Sequence, residues 1–252
     1  MNKFSISEAI NTGFNKLGRR MGRIMWLVIV VVLLNLLNSI IEGMFEAIPV
    51  LYFLIKVIIG LLNVYFSMCL LTSLIAYYDD EQADLSLQTF FARVDTNMFI
   101  KYIITSILFA LILVLPAILV AIPIAYLKIT SSGIDSAAIG IGLVCLIFLG
   151  IVLLFYLSAT YGFAAFLILD KKTNSASEAI KISGEITKNN RFKLIALQLV
   201  FVAIALLGVL ALIVGVLFAV PAIYLAQIHV YRTLYNASHQ SPTSDNELIE
   251  TA

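Results

Sequence analysis

The sequence predicts an all-α membrane protein: six transmembrane helices in three hairpin units, each preceded by an amphipathic in-plane helix. Three observations carry that reading. Of 252 residues 62% are hydrophobic and 12% charged, about half the roughly 25% charged content of soluble domains. Six apolar runs, near 22–41, 51–77, 99–126, 138–168, 192–212 and 215–234, each reach the roughly 20 residues that a helix needs to cross a bilayer core. A hexapeptide recurs with one change, Ser5-Ile-Ser-Glu-Ala-Ile10 and Ser175-Ala-Ser-Glu-Ala-Ile180, and each copy leads through a basic stretch into an apolar run.

The elements follow in order. Met1 to Gly18 lacks a short apolar core with a small-residue cleavage site, so the first apolar run is expected to remain as a membrane anchor. Ser5 stands three residues before Glu8, and Ser175 before Glu178. That is the spacing of a capping box, in which hydroxyl and carboxylate satisfy the free N–H groups that open a helix. After the first cap, Ile6, Ile10, Phe14, Leu17 and Met21 form an apolar stripe opposite Glu8, Asn11, Asn15, Lys16 and Arg19. After the second, Ala179, Ile182, Ser183 and Ile186 oppose Glu178, Lys181, Glu185 and Lys188. A third amphipathic segment sets Leu87, Phe90, Phe91 and Val94 against Gln88, Arg93 and Asp95. Helices of this kind lie with their apolar faces in the headgroup boundary and their cations near anionic lipid.

The fourth apolar run is too long for a core of about 30 Å, so it tilts or projects beyond the membrane. The fifth and sixth form a tight apolar hairpin with its turn near Gly208 to Gly215. Pro116, Pro123 and Pro221 are expected to kink their helices. The polar stretch 238–252 reads as a disordered cytoplasmic tail. No remaining polar segment is long enough for a separate core, so residues 1–237 are read as a single transmembrane domain.

The basic residues set the orientation. Lys3, Lys16, Arg19, Arg20 and Arg23 precede the first span; Arg93 and Lys101 lie between the second and third. Lys171, Lys172, Lys181, Lys188, Arg191 and Lys193 lie between the fourth and fifth, and Arg232 closes the sixth. Of the 16 Lys and Arg, only Lys56 and Lys128 fall elsewhere. By the positive-inside rule the crowded face is cytoplasmic, as are both termini. The opposite connections, Glu42 to Pro49 and Lys128 to Ala137, are too short for an external domain.

Several stretches carry a resemblance. They are Tyr161-Gly-Phe-Ala-Ala-Phe-Leu-Ile-Leu-Asp170-Lys-Lys, Ser177-Glu-Ala-Ile180, Thr187-Lys-Asn-Asn-Arg-Phe192, and a closing Pro221 and Tyr231-Arg232. Together they resemble bacterial six-helix membrane proteins of unknown function, the YciC-like group, which is similar to the membrane domain fused to some glycerophosphodiester phosphodiesterases. The resemblance implies a bacterial inner-membrane location and six helices. It brings no agreed chemistry, and this sequence shows no phosphodiesterase catalytic domain.

The residues themselves offer few candidates for chemistry. Asp79, Asp80, Glu81 and Asp84 cluster after the second span, and such carboxylates can hold Mg²⁺ against a pyrophosphate. No second acidic motif accompanies them, so the cluster reads as a solvated loop. Cys69 and Cys145 lie inside apolar runs, and His229 and His239 lack partners at ligand spacing. No catalytic residue, metal site or cofactor is expected. A membrane polar site is drawn from Asn35, Lys56, Asn63 and Gln198, with Lys56 read as snorkelling to the outer interface and the amides as interhelical glue. An anionic-lipid face is drawn from Lys16, Arg19, Arg20, Arg23, Lys188, Arg191 and Lys193. The function expected is therefore a non-enzymatic membrane scaffold or accessory protein engaging lipid, a homo-oligomer or a partner complex, with no nucleic acid. A small transporter or channel is the second reading, and a lipid-acting enzyme the third.

Overall fold

A computed structural model describes residues 4–44, 48–129 and 137–239. The described residues form ten helices and no strand. These are α1 (Ile6–Arg19), α2 (Met21–Met44), α3 (Pro49–Asp79), α4 (Leu87–Ala92), α5 (Thr96–Ile129), α6 (Ala137–Tyr161), α7 (Ala164–Leu169), α8 (Ala176–Thr187), α9 (Arg191–Leu210) and α10 (Leu212–His239). Six segments are long and apolar enough to cross a membrane: Met21–Ile41, Val50–Asp79, Thr96–Tyr126, Gly140–Leu169, Arg191–Leu210 and Gly215–His239. They coincide with the six runs read from sequence. Glu46, Ser132 and the tail from 240 onward lie outside the described residues.

The chain divides into two compact units. The first takes residues through Ile100, the short stretch Leu169–Lys172, and the chain from Val200. The second takes Lys101–Ile168 and Thr173–Leu199.

In the first unit, α1 packs along α10. Ala9, Gly13 and Leu17 are its buried residues, while Phe14, expected on the apolar face, is 44% exposed. The seat is set by glycine: a Cβ on Gly13 would lie 2.5 Å from the Ala222 carbonyl oxygen and 3.0 Å from the Ala226 Cβ. Small residues on both helices thus let two backbones approach. α2 and α3 are joined across their middles by Asn38 Nδ2 donating to Asn63 Oδ1 at 2.9 Å. The α9–α10 turn is one residue, Ala211, and it is as tight as the two glycines allow. A Cβ on Gly208 would sit 3.0 Å from the Gly215 oxygen, and one on Gly215 would collide with the Gly208 oxygen.

α3 shows how burial is distributed along a span. Its 31 residues make a helix about 46 Å long, well beyond a hydrocarbon core of about 30 Å. Its first half is open, with Val50 74% and Phe53 66% exposed, whereas Met68, Cys69, Leu70, Leu71, Leu74, Ile75 and Tyr77 are buried. An apolar surface of that size is stable only in a hydrocarbon solvent.

In the second unit, α5 and α6 meet where a Cβ on Gly150 would lie 3.0 Å from the Pro116 carbonyl oxygen. α5 and α10 remain continuous through their prolines. The long fourth run is interrupted at Gly162–Phe163 before α7. α8 lies on α6, where Ser183 Oγ and Thr187 Oγ1 both donate to the Thr160 carbonyl, at 2.9 and 3.1 Å. Its buried residues, Ala179, Ser183, Ile186 and Thr187, match three of the four read from sequence.

The capping boxes need correction. Ser5 and Ser175 do occupy the N-cap positions with extended backbone, but neither side chain accepts a cap hydrogen bond. Glu178 instead accepts from Thr173 Oγ1, and the Ser175 and Ser177 hydroxyls pair at 3.1 Å. In that copy a hydroxyl two residues upstream of the cap, that of Thr173, takes the carboxylate before the cap can. The middle amphipathic segment is also shorter than expected, α4 having only 6 residues.

Two glycines of α1 make a paired test. Gly13→Ala places its methyl against backbone and is expected to lower the thermal midpoint of the detergent-solubilised protein. Gly18→Ala, with nothing within 4 Å of its Cβ, is expected to leave the midpoint unchanged or raise it, since alanine favours a helix by up to about 1 kcal/mol over glycine. Equal responses would remove the α1–α10 seat as a close-packed contact.

Candidate functional site

Charged residues separated by much of the sequence converge at one end of the first unit. Arg232, late in α10, meets two carboxylates. Its Nη1 lies 2.5 Å from Asp170 Oδ2 and its Nη2 2.8 Å from Asp170 Oδ1, a two-pronged pairing. Its Nε donates to Asp79 Oδ1 at 3.1 Å, and Nη2 also bonds Asp79 Oδ2. Only a planar guanidinium offers donors on three nitrogens in that arrangement. Asp170 is held further by the Tyr231 hydroxyl at 2.9 Å and the Lys172 ammonium at 3.9 Å. Its side chain is 10% exposed and that of Arg232 16%, so the pair is largely withdrawn from water. The turn carrying Asp170 requires Lys171 in the left-handed region, φ 56, a conformation that costs a non-glycine residue about 1–2 kcal/mol.

A second clamp closes around Glu81. Arg19 Nη1 reaches Glu81 Oε1 and Oε2 at 2.7 and 2.8 Å, and Lys16 Nζ reaches Oε1 at 3.3 Å. Lys16 also donates to the Tyr78 carbonyl at 3.0 Å, and buried Tyr77 donates back to the Lys16 carbonyl at 2.7 Å. Arg20 Nη1 donates to the Ala83 carbonyl at 2.9 Å. The Tyr78 hydroxyl lies 2.7 Å from His229 Nδ1. The bonds of Lys16, Arg19, Arg20 and Tyr77 tie the end of α1 to the end of α3 and the loop after it, and that of Tyr78 ties α3 to α10. Hydrogen bonding by Arg19, and then Lys16, holds the Glu81 carboxyl below its ordinary value, and the same pairing raises Arg19.

The rest of the acidic loop is occupied locally. Asp80 Oδ1 accepts from the Gln82 N–H at 2.8 Å. Asp84 accepts from the Ser86 hydroxyl and backbone N–H and from Thr89, and these bonds, the Ser86 hydroxyl first, depress its pKa. Arg93 Nη2 donates to the Asp84 carbonyl at 2.8 Å. Among the described residues no three His, Cys, Asp or Glu side chains group as a metal-ligand set. Within the acidic cluster Asp79 and Glu81 are counter-charges of basic residues, while Asp80 and Asp84 stay exposed.

The sequence-derived polar site does not assemble as one group. Asn63 pairs with Asn38, Asn35 donates to the Val31 carbonyl of its own helix at 2.8 Å, and Lys56 donates to the Tyr52 hydroxyl one turn earlier at 3.2 Å. Gln198 belongs to the second unit, where its amide meets Ser158 Oγ at 2.9 Å. The proposed lipid face also divides. Lys16, Arg19 and Arg20 bond within the protein, and Arg191 bonds the Tyr156 hydroxyl. Arg23 and Lys188 are exposed and Lys193 half-buried; among the described residues no carboxylate pairs with any of the three. No spacing in the sequence points to the Asp79–Arg232–Asp170 arrangement, although Asp170 and Arg232 both stand in the stretches that carry the resemblance.

Six spans and a cluster of structural ion pairs define a multi-pass integral membrane protein. Over residues 10–238 the chain matches the family described as Protein of unknown function (DUF975), and it belongs to that family. The family is an uncharacterised one, and neither the YciC-like designation nor a phosphodiesterase fusion enters its description. No curated protein and no solved structure matches the chain.

The two clamps differ in burial, and their variants are expected to differ accordingly. Arg232→Ala strands a nearly buried carboxylate and should cost about 3 kcal/mol, read as a large fall in the thermal midpoint. Glu81→Gln touches an exposed pair, which contributes little in high dielectric, and should shift the midpoint only slightly. A larger effect for Glu81→Gln would reverse the ranking of the two clusters.

Proposed function

We propose that the protein is a non-enzymatic scaffold or accessory component of the bacterial inner membrane, with both termini cytoplasmic, that engages anionic lipid through one basic segment. The architecture proposed is a single membrane domain of three hairpin units, each introduced by an amphipathic helix near the membrane plane. The observation that carries the lipid reading is the segment between α8 and α9. There Lys188 is exposed, Lys193 follows closely, and Phe192 between the cations is 87% exposed. An aromatic side chain flanked by lysines at the first turn of a spanning helix suits the headgroup boundary, where the ring enters hydrocarbon and the cations meet phosphate. Lys16, Arg19 and Arg20 already hold partners in Glu81 and the Ala83 carbonyl, which narrows the proposed segment to Lys188 and Lys193. Support for a non-enzymatic role comes from the acidic loop, whose carboxylates serve cap, turn and ion-pair bonds. The intramembrane amides support packing rather than transport, since Asn38 and Asn63 satisfy each other.

Two measurements test this reading. Cysteines introduced by Ser132→Cys and Lys188→Cys, in a background lacking Cys69 and Cys145, are expected to label from opposite sides of the membrane; labelling from the same side would overturn the topology. Native mass spectrometry of protein released from mixed phosphatidylglycerol and phosphatidylcholine vesicles is expected to retain phosphatidylglycerol preferentially. Lys188→Ser with Lys193→Ser should abolish that preference. Retention without headgroup preference in the unsubstituted protein would refute the anionic-lipid face.

A further inference from the structure

A groove of about 410 Å³ opens in the first unit between α3 and the start of α5. Ile58, Leu61 and Leu62 form one wall and Phe99 the other, with Asp95 and Thr96 at the polar end. The volume lies within the range of roughly 300–1,000 Å³ that small-molecule sites occupy. Tyr65 fixes the shape: its hydroxyl donates to the Phe91 carbonyl at 3.2 Å, and its ring stands edge-on to Phe99 at 5.8 Å. The groove is therefore held open by α4 and α5 rather than left by loose packing.

Its position says what fills it. Ile58, Leu61 and Leu62 belong to the span Val50–Asp79, and Ile58 is 58% exposed; Asp95 immediately precedes the span Thr96–Tyr126. One end of the groove thus faces hydrocarbon, where water is excluded and an acyl chain is the available occupant. The other end lies where a span begins, at headgroup level. Among the residues that line the groove the charged one is Asp95. Its Oδ1 caps α5 by accepting from the Met98 N–H at 2.7 Å, and among the described residues its Oδ2 takes no hydrogen bond. A carboxylate at that point attracts an ammonium group and repels a headgroup of net negative charge.

We propose that this groove binds one acyl chain of a phospholipid whose headgroup ends in a primary amine, with the ammonium against Asp95 and the chain along Ile58, Leu61, Leu62 and Phe99. The site uses other residues than the basic segment at Lys188–Lys193 and the opposite charge, so either reading can fail without the other.

The test places a reporter in the groove, Phe99→Trp, in a Trp26→Phe background, reconstituted in phosphatidylcholine vesicles. These carry a minor fraction of chain-brominated phosphatidylethanolamine or phosphatidylglycerol. Brominated phosphatidylethanolamine is expected to quench the reporter at about one-fifth the concentration needed by phosphatidylglycerol, the ratio that one exposed ion pair sustains. Asp95→Asn should remove the preference while leaving the fold intact, since asparagine caps a helix as well as aspartate does. Equal quenching by both lipids would mean ordinary boundary lipid and overturn the proposal, as would preference for phosphatidylglycerol. Quenching by neither, with reporter emission that changes on diluting protein into more lipid, would assign the groove to a second copy and also overturn it. Should the reporter variant fail to fold, native mass spectrometry of the unsubstituted protein decides. One phosphatidylethanolamine retained per chain and lost in Asp95→Asn upholds the site, and no such loss refutes it.

Discussion

The guanidinium of Arg232 is the point on which the first unit turns. α10 reaches it from the last of the spans, α3 supplies Asp79 from its C-terminal end, and the turn after α7 supplies Asp170. Three pieces of chain that are distant in sequence are thereby fixed to one side chain. Removing ions from water costs several kcal/mol each, and the cost is recovered only where geometry is good and every donor is used. Here the fork faces Asp170 with two nitrogens and Asp79 with Nε and one of them, while Tyr231 satisfies a remaining lone pair of Asp170. Lysine at this position would present a point charge without the plane that matches two carboxylates.

Around that fixed point the helices divide their length between two solvents. The C-terminal half of α3, from Met68 to Tyr77, is packed among protein, and its N-terminal half bears Val50 and Phe53 outward. The same residue types thus serve as core at one end and lipid-facing surface at the other. No change in composition marks the crossover, because hydrocarbon and a protein core both accept leucine and isoleucine. Several polar residues inside the spans are spent on partners, though the buried Ser73 hydroxyl is not: Thr72, Thr105 and Thr160 each donate to a carbonyl of their own helix, and Asn38 finds Asn63 on its neighbour.

This division explains how much the sequence disclosed. Apolar length alone located all six spans, since a membrane helix is read from its solvent rather than from a partner. The α9–α10 turn was bracketed correctly between Gly208 and Gly215, because only small residues allow so sharp a reversal. What stayed hidden depends on contacts between distant residues. Glu81 looked solvated because nothing nearby in sequence revealed that Lys16 and Arg19 return to it. Ser175 and Glu178 have the spacing of a capping box, but spacing cannot show that a hydroxyl upstream, that of Thr173, takes the Glu178 carboxylate first. On α1 the apolar stripe read from sequence runs from half-buried Ile6 and Ile10 through exposed Phe14 to buried Leu17, and Ala9 and Gly13 beside it are buried as well.

The recurring hexapeptide separates what is encoded locally from what is not. In both copies it sets an N-cap with extended backbone and starts a helix at the next residue, Ile6 in one and Ala176 in the other. Beyond that the two helices differ. α1 approaches α10 through a missing side chain at Gly13, so its contact is backbone against backbone. α8 approaches α6 through hydroxyls, with Ser183 and Thr187 sharing the Thr160 carbonyl. A bare glycine seat rewards close apposition and tolerates few shapes, whereas hydroxyls aimed at one carbonyl fix rotation and register. Helix initiation therefore resides in the repeated residues, and the choice of partner in the residues that follow them.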